Sequence, residues 1–127
     1  MAENPYAAAA EFRAELRRFL RRSEDCARKH GITPRQHLLL LQIAGADRGS
    51  TTVSELVTSL ALTQSAVTEL VQRAETAGLV TRSVSRDDGR VVDLTLTPEG
   101  ERKLRAVHES LGPERQQLRH VIDELDE

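Results

Sequence analysis

The sequence contains one cysteine, Cys26, among its 127 residues. A lone cysteine closes no internal disulfide, so a reducing cytoplasm is the expected compartment. No apolar run approaches the roughly 20 residues needed to span a bilayer, and no signal-peptide pattern opens the chain; no membrane partner is expected. Gly-rich phosphate loops, His-Glu-x-x-His and Gly-x-Ser-x-Gly are missing too, and the adjacent carboxylates Asp87 and Asp88 fall on a hairpin tip that no pocket can desolvate. Neither an enzyme nor a bound cofactor is therefore expected. Excess positive charge is also absent. The formal net charge is −2, which taken whole argues against a polyanionic partner, so charge has to be read locally.

What is present is enough apolar content, 39%, for one modest core, and a single domain over 1–127 is the default. Phe12, Leu16, Phe19, Leu20, Ser23 and Ala27 repeat at helical spacing until His30-Gly31 stops the run. Thr33 can cap a second helix with Pro34 at its first position, in which Leu38, Leu41 and the flanking Leu39, Leu40 and Ile43 are all expected to be deeply buried. Ala46–Ser50 is a loop by composition. After Thr97-Pro98, Leu104, Val107 and Leu111 belong to a further helix, which Gly112-Pro113 interrupts. Leu118, Val121, Ile122 and Leu125 carry an apolar stripe onward.

The segment between these helices carries the functional information. Thr52-Val53-Ser54-Glu55 has capping-box spacing and starts a short helix with Val53, Leu56, Val57 and Leu60 on one side. Ala61-Leu62-Thr63 turns the chain, and Thr63 caps a helix reaching about Ala77, ended by Gly78. At 100° per residue, Val67, Leu70, Val71 and Ala74 share one face, while Ser65, Thr68, Glu69, Gln72 and Thr76 share the other. A helix anchored by one stripe and offering hydroxyls and an amide outward suits a major groove, whose base edges present donors and acceptors. Leu79–Val84 and Val91–Leu96 then flank the charged tip Ser85–Arg90 as a β-hairpin.

Four segments resemble, in order, the MarR family of winged-helix transcriptional regulators. Ile32-Thr33-Pro34-Arg35-Gln36 is similar to the start of that family's second helix. Ser65-Ala66-Val67-Thr68 with Leu70-Val71 is similar to its recognition helix, and Gly78-Leu79-Val80-Thr81-Arg82 to the start of its wing. Asp88-Gly89-Arg90 and Leu94-Thr95-Leu96-Thr97-Pro98-Glu99-Gly100 resemble its wing tip and exit. The likeness runs from about Phe12 to Leu111. It implies a mainly α fold with a small β-hairpin wing: an N-terminal dimerisation helix over 1–31, a winged helix-turn-helix over 32–97, and C-terminal dimerisation helices over 98–127. It further implies a homodimeric, ligand-responsive repressor on a palindromic double-stranded operator, with a small aromatic or phenolic effector.

On that reading Thr63, Gln64, Ser65, Thr68, Gln72, Arg73, Arg86, Asp88 and Arg90 are the expected DNA-binding residues, with Arg90 probing a minor groove and Asp88 steadying it. By analogy, Leu16, Phe19 and His37 are expected near an effector pocket. Glu69 departs from the basic or small residues common at its position; it can repel phosphate, accept from a cytosine amine, or pair with Arg73 four residues on, and the pairing is the simplest. Oxidant-sensing and zinc-responsive relatives draw attention to Cys26 and to Glu24, His37 and His108. Tyr6 is the only tyrosine, a second cysteine is missing, and the residue order does not match a zinc site. Cys26 is therefore read as a small buried hydrophobe, and no metal is expected. The rival class is a winged helix used for protein–protein assembly without sequence-specific DNA contact, which the near-neutral charge and Glu69 favour.

Overall fold

Threonine starts four of the helices. In the computed structural model, which describes residues 4–84 and 89–125, the hydroxyls of Thr33, Thr52, Thr63 and Thr97 accept from the amides of Gln36, Glu55, Ala66 and Gly100 at 3.0–3.2 Å. Each cap satisfies a donor that the first turn leaves orphaned and contributes about 1 kcal/mol. The elements that follow are α1 (Ala7–Lys29), α2 (Pro34–Ala44), α3 (Val53–Leu60), α4 (Gln64–Thr76), β1 (Val80–Val84), β2 (Val92–Leu96), α5 (Pro98–Ser110) and α6 (Gly112–Leu125).

The reciprocal capping box occurs at Thr33 and Gln36, where the Gln36 carboxamide returns to the Thr33 amide at 3.0 Å. At Thr52 only half of the expected box forms. The Glu55 carboxylate accepts instead from the Thr52 hydroxyl at 3.1 Å and from Arg48 at 2.5 Å. Arg48 also lies 3.7 Å from Asp93 on β2, so the loop before α3 competes successfully for the acid.

Helix α2 is central, touching α1, α3, α4, α5 and β2. Its Leu39, Leu40 and Ile43 are fully buried with Leu56 of α3, Val67, Val71 and Ala74 of α4, and Val107 of α5. Each large side chain so buried contributes about 1.5–3 kcal/mol. Leu38 and Leu41 are not part of this core: they are 48% and 40% exposed, contrary to the expectation of deep burial. A run of four leucines does not reveal which side of a helix meets the core, and here residues 39, 40 and 43 take it.

The two strands pair antiparallel, with Val80 opposite Leu96, Arg82 opposite Leu94 and Val84 opposite Val92. A third piece joins the sheet through Thr51, whose amide donates to Leu94 O at 3.1 Å and whose carbonyl accepts from Leu94 N at 2.7 Å. The hairpin is thereby held at the middle of β2 by the segment leading into α3. Its tip at 85–88, including Arg86 and Asp88, lies outside the described residues.

The base of the hairpin is also fixed to α5. The Thr97 hydroxyl donates to Gly78 O at 2.6 Å while accepting from Gly100 N at 3.0 Å. A Cβ at Gly100 would stand 2.2 Å from Leu79 O, so only glycine lets α5 approach the α4–β1 turn this closely. At the other side of the molecule α6 packs along α1. Phe12, Leu16, Phe19 and Leu118 are half-buried there, Val121 is buried, and Leu20, Ile122 and Leu125 remain exposed.

Candidate nucleic-acid interface

Helices α3 and α4 meet through a tight turn in which Ala61 adopts the left-handed conformation (φ 53°). The turn presents Thr63, Gln64 and Ser65 at the start of α4, all exposed. Val67, Leu70, Val71 and Ala74 are buried, as the period requires, and Thr68, Glu69, Gln72, Arg73 and Thr76 are exposed. Gln64, Ser65, Thr68, Glu69 and Gln72 line one shallow concavity on the outer face. Gln72, Arg73, Glu75 and Thr76 line its neighbour. Thr76 turns its hydroxyl back to Gln72 O at 3.0 Å, which removes it from the outward set.

Arg73 and Arg82, beside this face, are paired with acids. Arg73 Nη2 donates to Glu69 Oε1 at 2.7 Å, with the two side chains 74% and 63% exposed. Arg82 on β1 donates to Glu75 at 2.6 Å, tying the hairpin to α4. An exposed i,i+4 pair contributes only about 0.3–0.5 kcal/mol, so water and salt screen it and a phosphate can compete for the guanidinium. Arg90 is exposed just before β2. A projecting helix with a hairpin beside it is one continuous surface, with hydroxyls and amides at its centre and arginines at its flank.

Of the residues expected around an effector, Leu16 is half-buried on α1. Phe19 lines an open groove against α6, together with Leu118 and Ile122. His37 is buried on α2, and its imidazole loses protons more readily than usual, first because burial penalises the charged form and then because His108 stands close. His108 belongs to a cleft of about 530 Å³ between α2, β2 and α5, with Leu41, Ala44, Leu96 and Leu104 as apolar wall and Glu101 and Arg105 at its rim. Neither Leu16 nor His37 lines that cleft. No pattern in the sequence marks this cleft, because the exposure of Leu41 in its wall is decided by residues distant along the chain. Cys26 is half-buried, its sulfur 4.0 Å from Val107 O. Among the described residues no three of His, Cys, Asp or Glu gather as metal ligands, and no helix is long and apolar enough to cross a membrane.

This geometry, a capped helix pair whose second member stands beside a β-hairpin, defines a winged helix-turn-helix protein. Residues 30–91 match the MarR family. The chain is similar to the HTH-type transcriptional repressor MdtR of Bacillus subtilis (strain 168), 38% identical over 79 residues, which is 62% of this chain and 50% of that protein. It thus spans about half the length of the curated relative it matches. Among solved structures, a mutant of S. aureus MepR bound to an oligodeoxyribonucleotide matches with a TM-score of 0.72 at 21% identity, over 87% of this chain and 80% of that one. The YusO protein from Bacillus subtilis matches with a TM-score of 0.68 at 27% identity, over 93% and 91%.

Proposed function

We propose that the protein is a sequence-specific double-stranded DNA-binding transcription regulator, acting in the cytoplasm as a homodimeric, ligand-responsive repressor. The observation that carries this reading is the outer face of α4. Ser65, Thr68 and Gln72 stand exposed in one concavity, opposite a stripe buried to the last residue. Nothing in the packing of the chain requires those polar groups, and base edges in a major groove complement them. Thr63 and Gln64 sit at the N-terminal end of α4, where backbone amides favour a phosphate. Arg73 supplies general affinity from the flank, and Arg90 of the wing probes the adjacent minor groove. The similar fold of the MepR mutant, itself bound to an oligodeoxyribonucleotide, supports the same reading.

The segments 1–31 and 98–127 serve dimerisation, since they leave Leu20, Ile122 and Leu125 exposed together with Leu38 and Leu41 of α2. A two-fold contact between them sets two copies of α4 about one helical turn of DNA apart, roughly 34–36 Å. The cleft between α2, β2 and α5 suits a small effector with an apolar body and an anionic or hydroxyl group facing Arg105 and His108. Selection of bound duplexes from a random pool tests the whole reading. A palindrome with half-sites one turn apart is the expected result, and recovery of no preferred sequence overturns it.

A second reading, a protein-assembly module without sequence-specific DNA contact, is favoured by the pairing of Arg73 with Glu69 and Arg82 with Glu75. A salt titration separates the two, because a DNA binder loses affinity steeply as salt rises.

A further inference from the structure

Glu69 is the acidic residue of the concavity that Gln64, Ser65, Thr68 and Gln72 also line. Taking the buried stripe as the inward direction, helical geometry puts Glu69 roughly 30° from the outward pole of α4 and Arg73 roughly 70° from it. A docking that inserts α4 outward face first therefore points Glu69 at base edges and leaves Arg73 nearer the strands' phosphates. A bare carboxylate in a groove lined by phosphates is strongly disfavoured. Here it carries its own counter-ion, Arg73 Nη2 at 2.7 Å from Oε1, and no further hydrogen bond is made by Oε2 among the described residues. The pair enters as a near-neutral unit with one acceptor to spare. The guanidinium has five N–H donors, so holding Glu69 leaves others for a phosphate.

We propose that Glu69 determines sequence specificity by accepting a hydrogen bond from the N4 amine of a cytosine in the major groove, with Arg73 as its counter-ion. The proposal rests on the DNA-binding reading above. The choice of base follows from what each edge presents. Cytosine offers a donor with no acceptor on the same base; adenine sets its N7 acceptor beside its amine, and guanine and thymine present acceptors that repel a carboxylate. Thr68 and Gln72, on the same face, read neighbouring positions.

Duplexes selected from a random pool by the wild-type chain serve as the probe, followed by labelled copies in which each C·G pair is replaced singly by T·A. One C·G position per half-site is expected to weaken the wild type about tenfold when replaced, and the same replacement to cost the exposed-surface variant Glu69→Ala little. Glu69→Gln is expected to move the preference at that position from C to A, since a carboxamide pairs with adenine N6 and N7 together. If both variants bind every duplex more tightly by one common factor and leave the ranking unchanged, Glu69 only repels phosphate and the proposal is overturned while DNA binding stands. A wild-type chain that selects no duplex overturns the DNA-binding reading itself, and this inference with it.

Discussion

The winged half of the chain and its helical ends solve the same problem differently. Between Thr51 and Gly100 the helical apolar residues are spent inwardly: Leu56, Val67, Val71 and Ala74 are fully buried with Leu94 of β2. Of the large apolar side chains described there, only Val84 and Val92 at the far end of the hairpin stand exposed, and the segment closes on itself through the Thr51–Leu94 bridge and the Thr97 contacts. The ends, α1 and α6, pack on each other yet leave Leu20 49% and Ile122 42% exposed. Apart from the outer end of its hairpin, the winged half is complete as it stands. The other leaves Leu20 and Ile122 on a face that α1 and α6 do not close between themselves, and on the dimeric reading proposed above a two-fold partner would cover it.

The largest effect should come from the incomplete half. Leu20→Glu combined with Ile122→Glu places two charges on the exposed face, where they cost a monomer little but block a dimer. Sedimentation should then report monomers, and operator affinity should fall about a hundredfold through lost bivalency. A dimer that persists would show that another surface makes the contact.

Breaking the complete half instead should lower stability. Gly100→Ala drives a methyl into Leu79 O, and about 1–3 kcal/mol should be lost in denaturant unfolding, the range for overpacking. An unchanged midpoint would mean that α5 slides away at no cost. Arg90→Ala should reduce operator binding about tenfold and leave the unfolding midpoint alone, since the side chain is exposed. Binding at wild-type strength would remove the wing from the interface.

The smallest effect concerns α2, which joins the two halves. His37 is harder to protonate in the folded chain than at the ordinary imidazole value of 6.5, by burial first and then by His108. The unfolded chain therefore binds the proton more readily. That contribution to stability is complete above 6.5 and is lost progressively as pH falls through it. Unfolding measured from about pH 7 down to about pH 5 should show a shallower loss in His37→Gln than in the wild type, and parallel curves would assign the acid sensitivity to other groups.

These contrasts also explain what was legible beforehand. The face of α4 could be read because a helix with one buried side must repeat its apolar residues at about 3.6, and Val67, Leu70, Val71 and Ala74 do. The threonine starts of helices were legible because a cap is a local bond between residues three apart. Leu38 and Leu41 misled because neighbours in space, not in sequence, decide which side of an apolar helix is covered. The fate of Glu55 and the pairing of Thr51 with Leu94 depend on residues 7 and 43 positions away, beyond any local pattern. The effector reading turns on such distant placement too: Phe19 lines the groove against α6, whereas His37 is buried on α2.

The Thr97 hydroxyl, bonded at once to the end of one turn and the start of the next helix, gives the molecule a gear. Since α5 cannot swivel without dragging the Gly78 carbonyl, the C-terminal end of α4 travels with it as one rigid arm. Helix α5 has 13 residues, so at about 1.5 Å per residue the arm is about 20 Å long, and a tilt of about 10° swings its end by about 3.5 Å. That is close to the rise of one base pair, roughly 3.4 Å. On the dimeric, ligand-responsive reading proposed above, a molecule wedged into the cleft against α5 would need to tilt it only slightly for two reading helices to fall out of step with the steps of the duplex.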